Sequence, residues 1–338
     1  MTRIQEDRLF YTSSVIPQSM QFLFDQHESA LKNVAQELTL RSIRHLYAVG
    51  GGASLSAMMG IEYILQRFTS LPVQALNGQE LLAREPNFKG TAVIATSYLG
   101  QTPEVLQVVQ AARQTRAFVI GITNSPDTPL AQASDVVVDF QSKAVYISPL
   151  TIGYLMAAYV MKERGESVAT ASQLLKDLHH FPSASKKVVA TALHGPLDLD
   201  LADHYYVIAS GPQYGLGYKL ALSVIIENLW TNASIVNTGE FYHGPIEIIH
   251  QHRPSFLCLL GEDPSRAAQE RVVQFCQKKE APVLPFDVRT YGAYSDLMAV
   301  YPLFIATEVW VMRVAAKRGH DVDERRYMGK VSSTWGEF

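Results

Sequence analysis

The sequence predicts an α/β protein built from two parallel sheets, each covered on both faces by helices. Short, continuous apolar runs alternate with longer helical patterns from residue 45 onward, and uninterrupted apolar strands of this kind are buried on both sides. The pattern also restarts near residue 204 with the same order of strand, glycine turn, long helix and strand. Length agrees: 338 residues exceed what one core usually holds, and two domains of about 150 residues are expected.

Residues 1–40 read as a helical segment, clearest in DQHESALKNVAQEL (25–38). The first domain, 41–185, has strands HLYAVG (45–50), VQAL (73–76), TAVIATS (91–97), AFVIGIT (117–123) and DVVVDF (135–140), bounded by glycine, asparagine, serine or proline. Residues 149–190 are largely helical and cross to the second domain, 186–320. Its strands are HYYVIASG (204–211), ASIVN (233–237), SFLCLLG (255–261) and PVLPFD (282–287). PLFIATEVWVMRVAAKRG (302–319) is a strong helix stopped by glycine. The tail 321–338 has no core pattern and needs a surface to lie on if it is ordered. The halves read as divergent copies offset by about 160 residues.

Composition narrows the function classes. An apolar fraction of 47% supplies sizeable cores, while a net charge of −3 gives no general attraction to nucleic acid or anionic membrane. The start MTRIQEDRLF lacks the apolar region of a signal peptide, and the longest apolar stretch, 149–161, is short and tyrosine-rich for a bilayer span. A cytoplasmic soluble protein is the expectation. Cys258 and Cys276 lie in a strand-like and a helix-like apolar run and read as inert core.

Two loops of the first half invite a chemical reading. Gly50-Gly51-Gly52-Ala53-Ser54 joins a strand to a helix at the carboxyl end of the strand, where open parallel sheets bind ligands. Glycines let the backbone approach an anion, and the next helix offers unpaired N–H groups. The cluster does not match the G-x-G-x-x-G nucleotide fingerprint. The second loop, Ser97-Tyr-Leu-Gly-Gln-Thr-Pro103, sets Pro103 at the first helical position and Thr102 at the N-cap. Ser97 and Thr102 either offer hydroxyls to a phosphate or, more plainly, serve a turn and a cap. Two such loops in one sheet favour phosphate. The second half has LLGEDPSRA (259–267) instead, with acids that oppose it.

The second half carries acid and base. Glu227 lies among Val224, Ile225, Ile226, Leu229 and Trp230. It either points outward or is a costly buried carboxylate that is paired, protonated or catalytic. His243 follows sixteen positions later in NTGEFYHGP (237–245), held on a glycine–proline turn, as a catalytic imidazole or a cap of a backbone carbonyl. Glu240 reads as a turn-stabilising acid.

Together, GGAS, SYLGQT, the Glu227–His243 spacing and GEFYHGP resemble the sugar isomerase (SIS) domain proteins, among them the isomerase half of glucosamine-6-phosphate synthase. The likeness is nearer the fructosamine-6-phosphate deglycases through GEFYHGP-x-EI and DERRY, and covers about residues 30 to 330. It implies two SIS domains, doubly wound and flavodoxin-like, and a homodimer or larger assembly with a shared active site. Gly52, Ser54, Ser97 and Thr102 match positions that hold the sugar phosphate. Glu227 and His243 match the catalytic pair, with the histidine given by the neighbouring subunit. Lys330 matches a lysine of the synthase's C-terminal loop. The chain departs from the synthase at Val224 (lysine there), at Leu99 (serine there) and in lacking an early cysteine for glutamine hydrolysis.

The implied activity is a deglycase acting on a 6-phosphorylated fructosamine such as fructoselysine 6-phosphate, using no metal and no redox cofactor. Arg325 and Arg326 either close over the amino acid carboxylate or form a solvated basic run. The alternatives are an aldosamine (glucoselysine 6-phosphate) deglycase or a plain aldose–ketose phosphate isomerase, and third a non-catalytic sugar-phosphate sensor. A DNA-reading sensor is disfavoured because the first 40 residues are too few and too weakly basic.

Overall fold

A computed structural model describes residues 11–195, 202–251 and 254–328. The chain divides between Pro182 and Ser183 into two compact units.

The first unit starts with α1 (Ile16–Leu40) and holds five parallel strands: β1 (Leu46–Val49), β2 (Val73–Leu76), β3 (Ala92–Thr96), β4 (Phe118–Thr123) and β5 (Val136–Asp139). Their order in the sheet is β2-β1-β3-β4-β5, the doubly wound order with its switch point between β1 and β3. Registers run in parallel, with Leu46 opposite both Val73 and Ala92. Between the strands lie α2 (Gly52–Phe68), α3 (Gly78–Ala83) and α4 (Pro103–Gln114). Their starts follow from side-chain chemistry: the Asn77 carboxamide accepts from the amides of Gln79 and Glu80 to cap α3, and Pro103 opens α4. One core forms where Val105, Val108, Val109 and Ala112 of α4 meet Val93, Ala95 and Val119. After β5, α5 (Ile147–Glu163) is buried from Ile147 through Met161 and packs against α1 and α2. The tyrosine-rich apolar stretch is thus a core helix. The next helix, α6 (Val168–His194), contains Pro182, where the chain passes to the second unit.

The second unit has β6 (His204–Ala209), β7 (Asn232–Asn237), β8 (Pro254–Leu260) and β9 (Val283–Asp287), all parallel, in the order β7-β6-β8-β9. This repeats the first four positions of the other sheet. Between β6 and β7 runs α7, built as an α-helical stretch Tyr214–Lys219, a π-helical stretch Leu220–Ile226 and a last turn Glu227–Leu229. Then come α8 (Arg266–Lys278) and α9 (Val300–Arg318). The core on the α8 side joins Ile208, Phe241, Phe256, Cys258, Leu260, Val272 and Cys276. Both thiols are free and buried, and desolvation lifts Cys276 to about 11 and Cys258 well above the usual thiol range. On α9, Trp310 is fully buried and meets the rings of Tyr205 and Phe286 edge to face at 5.5 and 6.2 Å. Burying each such side chain contributes about 1.5–3 kcal/mol.

Candidate functional site

At the switch point of the first sheet, the loops after β1 and β3 present their donors. Gly52 has φ +52°, a left-handed backbone that glycine adopts without strain, and a Cβ on Gly50 would fall 2.8 Å from the Leu55 amide nitrogen. The chain can therefore turn into α2 without a side chain filling the turn. Ser54 stands half-buried in the first turn of α2, and its hydroxyl makes no hydrogen bond among the described residues. In the second loop, Ser97 Oγ and Thr102 Oγ1 lie 2.7 Å apart. Thr102 occupies the N-cap position but its side chain does not cap; the hydroxyl is turned to Ser97 instead. The plain capping reading of Thr102 is corrected here. A hydroxyl pair beside helix first turns is a donor set that an anion can accept from.

Other features of this rim are less simple. Leu99 is 64% exposed, an aliphatic side chain on the hydroxyl loop. Glu104, in the first turn of α4, reaches within 3.8 Å of where a Cβ on Gly51 would sit, so the rim also carries a carboxylate. A cleft of about 530 Å³ opens beside Leu55, Leu76, Asn77, Gln79, Glu80 and Ala83. It does not include Ser97 or Thr102. Lys330 lies outside the described residues.

The corresponding loops of the second sheet are filled by the protein itself. Asp263, 3% exposed, accepts from the Ser265 amide at 2.9 Å and the Ser265 hydroxyl at 2.6 Å through Oδ1. A Cβ on Gly211 would fall 2.5 Å from that same oxygen, so the glycine makes room for the carboxylate. Ser210 Oγ lies at hydrogen-bond distance from the hydroxyls of Thr238 and Ser265, and the Gln269 side chain bridges Ser265 and the Gly261 amide. A buried carboxyl group of the protein itself occupies this loop. Glu262 is drawn off to Arg266 and Arg289.

Glu227 begins the last turn of α7, directly after the π-helical stretch. A π turn shifts the face on which following residues emerge, and such segments are frequent at functional sites. The carboxylate is 24% exposed and pairs with Arg325 at 3.1 Å, so the outward-pointing alternative for Glu227 does not hold. Burial raises its pKa from the usual carboxylate range, while the charges of Arg325 and then Lys219 pull it back; burial prevails. Lys219, one helical stretch earlier, is itself buried and forms a 2.7 Å ion pair with Glu308 of α9. Sequence reading missed this pair. Its signal is a charged residue at the centre of the apolar run PLFIATEVWVM.

His243 lies in a 3₁₀ turn, Thr238–His243, and is exposed. Among the described residues it makes no hydrogen bond, ion pair or ring contact, so it caps no carbonyl, and nothing joins it to Glu227. The turn is held by Asn237, whose side chain accepts from the Gly239 amide; Glu240 is exposed and contributes no bond to it. The structure thus brings Ser97 to Thr102 and Glu227 to Arg325, and leaves His243 unengaged. Among the described residues, no group of three or more His, Cys, Asp or Glu is placed to hold a metal ion.

Residues 39–161, which contain both hydroxyl loops, match the SIS domain family. The chain is 28% identical to fructoselysine 6-phosphate deglycase of Escherichia coli O157:H7, covering 95% of this chain and 96% of that protein. It is 27% identical to fructosamine deglycase FrlB of Bacillus subtilis, over 88% of this chain and 94% of the other. A solved structure from Salmonella typhimurium LT2, provisionally described as a phosphosugar isomerase, superposes with a TM-score of 0.80 at 22% identity, covering 90% and 96% of the two chains. That likeness shows the fold. Both named relatives are deglycases.

Proposed function

We propose that this protein is a deglycase that cleaves a 6-phosphorylated fructosamine, such as fructoselysine 6-phosphate, to glucose 6-phosphate and a free amino acid. The observation that carries the reading is the half-buried Glu227 carboxylate, with its pKa raised by burial and a single guanidinium at hydrogen-bond distance. Such a group is tuned toward proton transfer at neutral pH. The similarity to deglycases across both halves supports it. The repeated strand order supports a second SIS domain in 186–320.

In the open-chain substrate, carbon 2 is a ketone and carbon 1 bears the amine nitrogen. Glu227 removes a proton from carbon 1, and the adjacent carbonyl takes the electron pair as an enolamine. Reprotonation at carbon 2 leaves an imine between carbon 1 and nitrogen. Water adds to carbon 1 and the carbon–nitrogen bond breaks, releasing the aldose 6-phosphate and the amine. His243, supplied by a second copy of the chain, serves the ring and carbonyl oxygens as acid and base. Ser54, Ser97 and Thr102, with the turn at Gly52, hold the phosphate.

Incubating the protein with fructoselysine 6-phosphate, glucoselysine 6-phosphate and fructose 6-phosphate, and assaying glucose 6-phosphate and free amine, tests this. Product from the first alone is expected; release of amine only from the second, or isomerisation of the third without amine chemistry, rejects it. The phosphate assignment has its own check. Ser97→Ala should weaken binding of glucose 6-phosphate about tenfold, the worth of a hydrogen bond to a charged group, in a calorimetric titration. An unchanged Kd would remove Ser97 from the cradle.

A further inference from the structure

Two ties at one spacing hold α7 against α9. Lys219, the last residue of the α-helical stretch, donates to Glu308 Oε1 at 2.7 Å. Farther along, Arg318 donates to the Leu229 carbonyl at 3.2 Å and to the Thr231 hydroxyl. Lys219 and Glu308 are 89 positions apart, and so are Leu229 and Arg318; the two helices therefore run side by side in the same direction. Between the ties lie the π-helical stretch Leu220–Ile226 and Glu227. A π stretch shifts the face on which the next residues emerge, so the aim of Glu227 depends on how both ends of that stretch are fixed.

The Lys219 and Glu308 side chains are 8% and 4% exposed. The Lys219 ammonium also lies 4.9 Å from the centre of the Phe304 ring, about one turn earlier on α9. Taking two charges out of water offsets most of their attraction, and an apolar pair of similar volume commonly holds two elements together as well. What the ion pair adds is direction and register, because a charge-assisted hydrogen bond cannot slide as apolar contacts can. Its charge also reaches the site. Burial raises the pKa of Glu227, and the charges of Arg325 and then Lys219 lower it. Around them, Glu308 faces Lys219, His320 and Arg318 hold the Asn228 and Leu229 carbonyls, and Arg326 lies over the Trp230 ring.

We propose that Lys219 and Glu308 are a positioning pair for the proton transfer: they fix the register of α7 on α9 ahead of the π-helical stretch and so set the direction of the Glu227 carboxylate. Both are buried and act through Glu227. The inference rests on the deglycase reading above and extends it to residues behind the reacting group.

The test replaces the pair by apolar residues of similar size, Lys219→Met with Glu308→Leu, which leaves no buried charge alone. With fructoselysine 6-phosphate, kcat should fall about 10- to 100-fold, the cost of a misplacement of about 1 Å. KM, the Kd for glucose 6-phosphate and the thermal midpoint should stay close to those of the unaltered protein. Loss of the Lys219 charge raises the pKa of Glu227, so the acid limb of kcat/KM should move to higher pH. The exchanged pair, Lys219→Glu with Glu308→Lys, keeps the tie and reverses the charge at position 219. It should regain part of the lost kcat on the pH plateau, with the limb moved higher still. Unaltered kcat in the folded apolar variant, a limb that stays in place, or a loss of midpoint and glucose 6-phosphate binding that matches the loss of kcat overturns the inference alone. Should the apolar variant not fold, the limb of the exchanged pair decides; failure of both to fold assigns the pair to stability and equally overturns it. No turnover by the unaltered protein removes the deglycase reading, and the inference with it.

Discussion

Glu227→Gln should reduce turnover of a 6-phosphorylated fructosamine by about 10²- to 10⁴-fold, the contribution of one positioned acid–base group, while glucose 6-phosphate binds with nearly unchanged Kd. Glutamine keeps the shape and can still face Arg325, but it cannot take a proton from carbon 1. Retained turnover would strip Glu227 of its role. The intact carboxylate also predicts a pH profile. Its ionised form is the base, so kcat/KM rises with pH through the pKa of Glu227, which burial holds above the usual carboxylate range. The Arg325 charge pulls that pKa down, so in Arg325→Gln the acid limb should move to higher pH. A limb that stays in place, or moves lower, would show that another group titrates there.

Replacing His243 with asparagine should cost a similar about 10²- to 10⁴-fold, and the informative step is then to mix variants. His243 is exposed and engages nothing in its own chain among the described residues, as expected of a group that serves a neighbouring copy. Co-expressed Glu227→Gln and His243→Asn chains should recover activity that neither shows alone, because a mixed pair contains one site with both native groups. A mixture as inactive as its components would confine the site to one chain. The apparent mass in solution should at the same time be at least that of a dimer.

Much of the fold was legible because each strand is short, continuous and apolar, and each is closed by glycine, proline or a polar residue. A buried parallel strand cannot hide among polar residues, and the internal copy confirmed the period. Pro103 marked a helix start because its fixed backbone suits the first helical position. Charge placement was less legible. The spacing of Glu227 among apolar neighbours left its direction open, since a π-helical stretch re-aims the side chain and no residue type announces one. The Lys219–Glu308 pair joins residues 89 positions apart, beyond any local pattern. Asp263 looked like a repelling acid, yet the turn around Gly211 encloses its carboxyl group.

The sequence by itself determined the two parallel sheets, their glycine-lined loops, the hydroxyls of Ser97 and Thr102, and the presence of an acid and an imidazole sixteen positions apart. These are matters of residue type and local order. Only the tertiary structure decided that Thr102 turns to Ser97 instead of capping, that Glu227 meets Arg325 of the tail, and that the second sheet's loop is closed by its own carboxylate. Such pairings depend on which distant groups are buried together, where a charge must find a partner or remain costly. Local sequence carries no record of that partner.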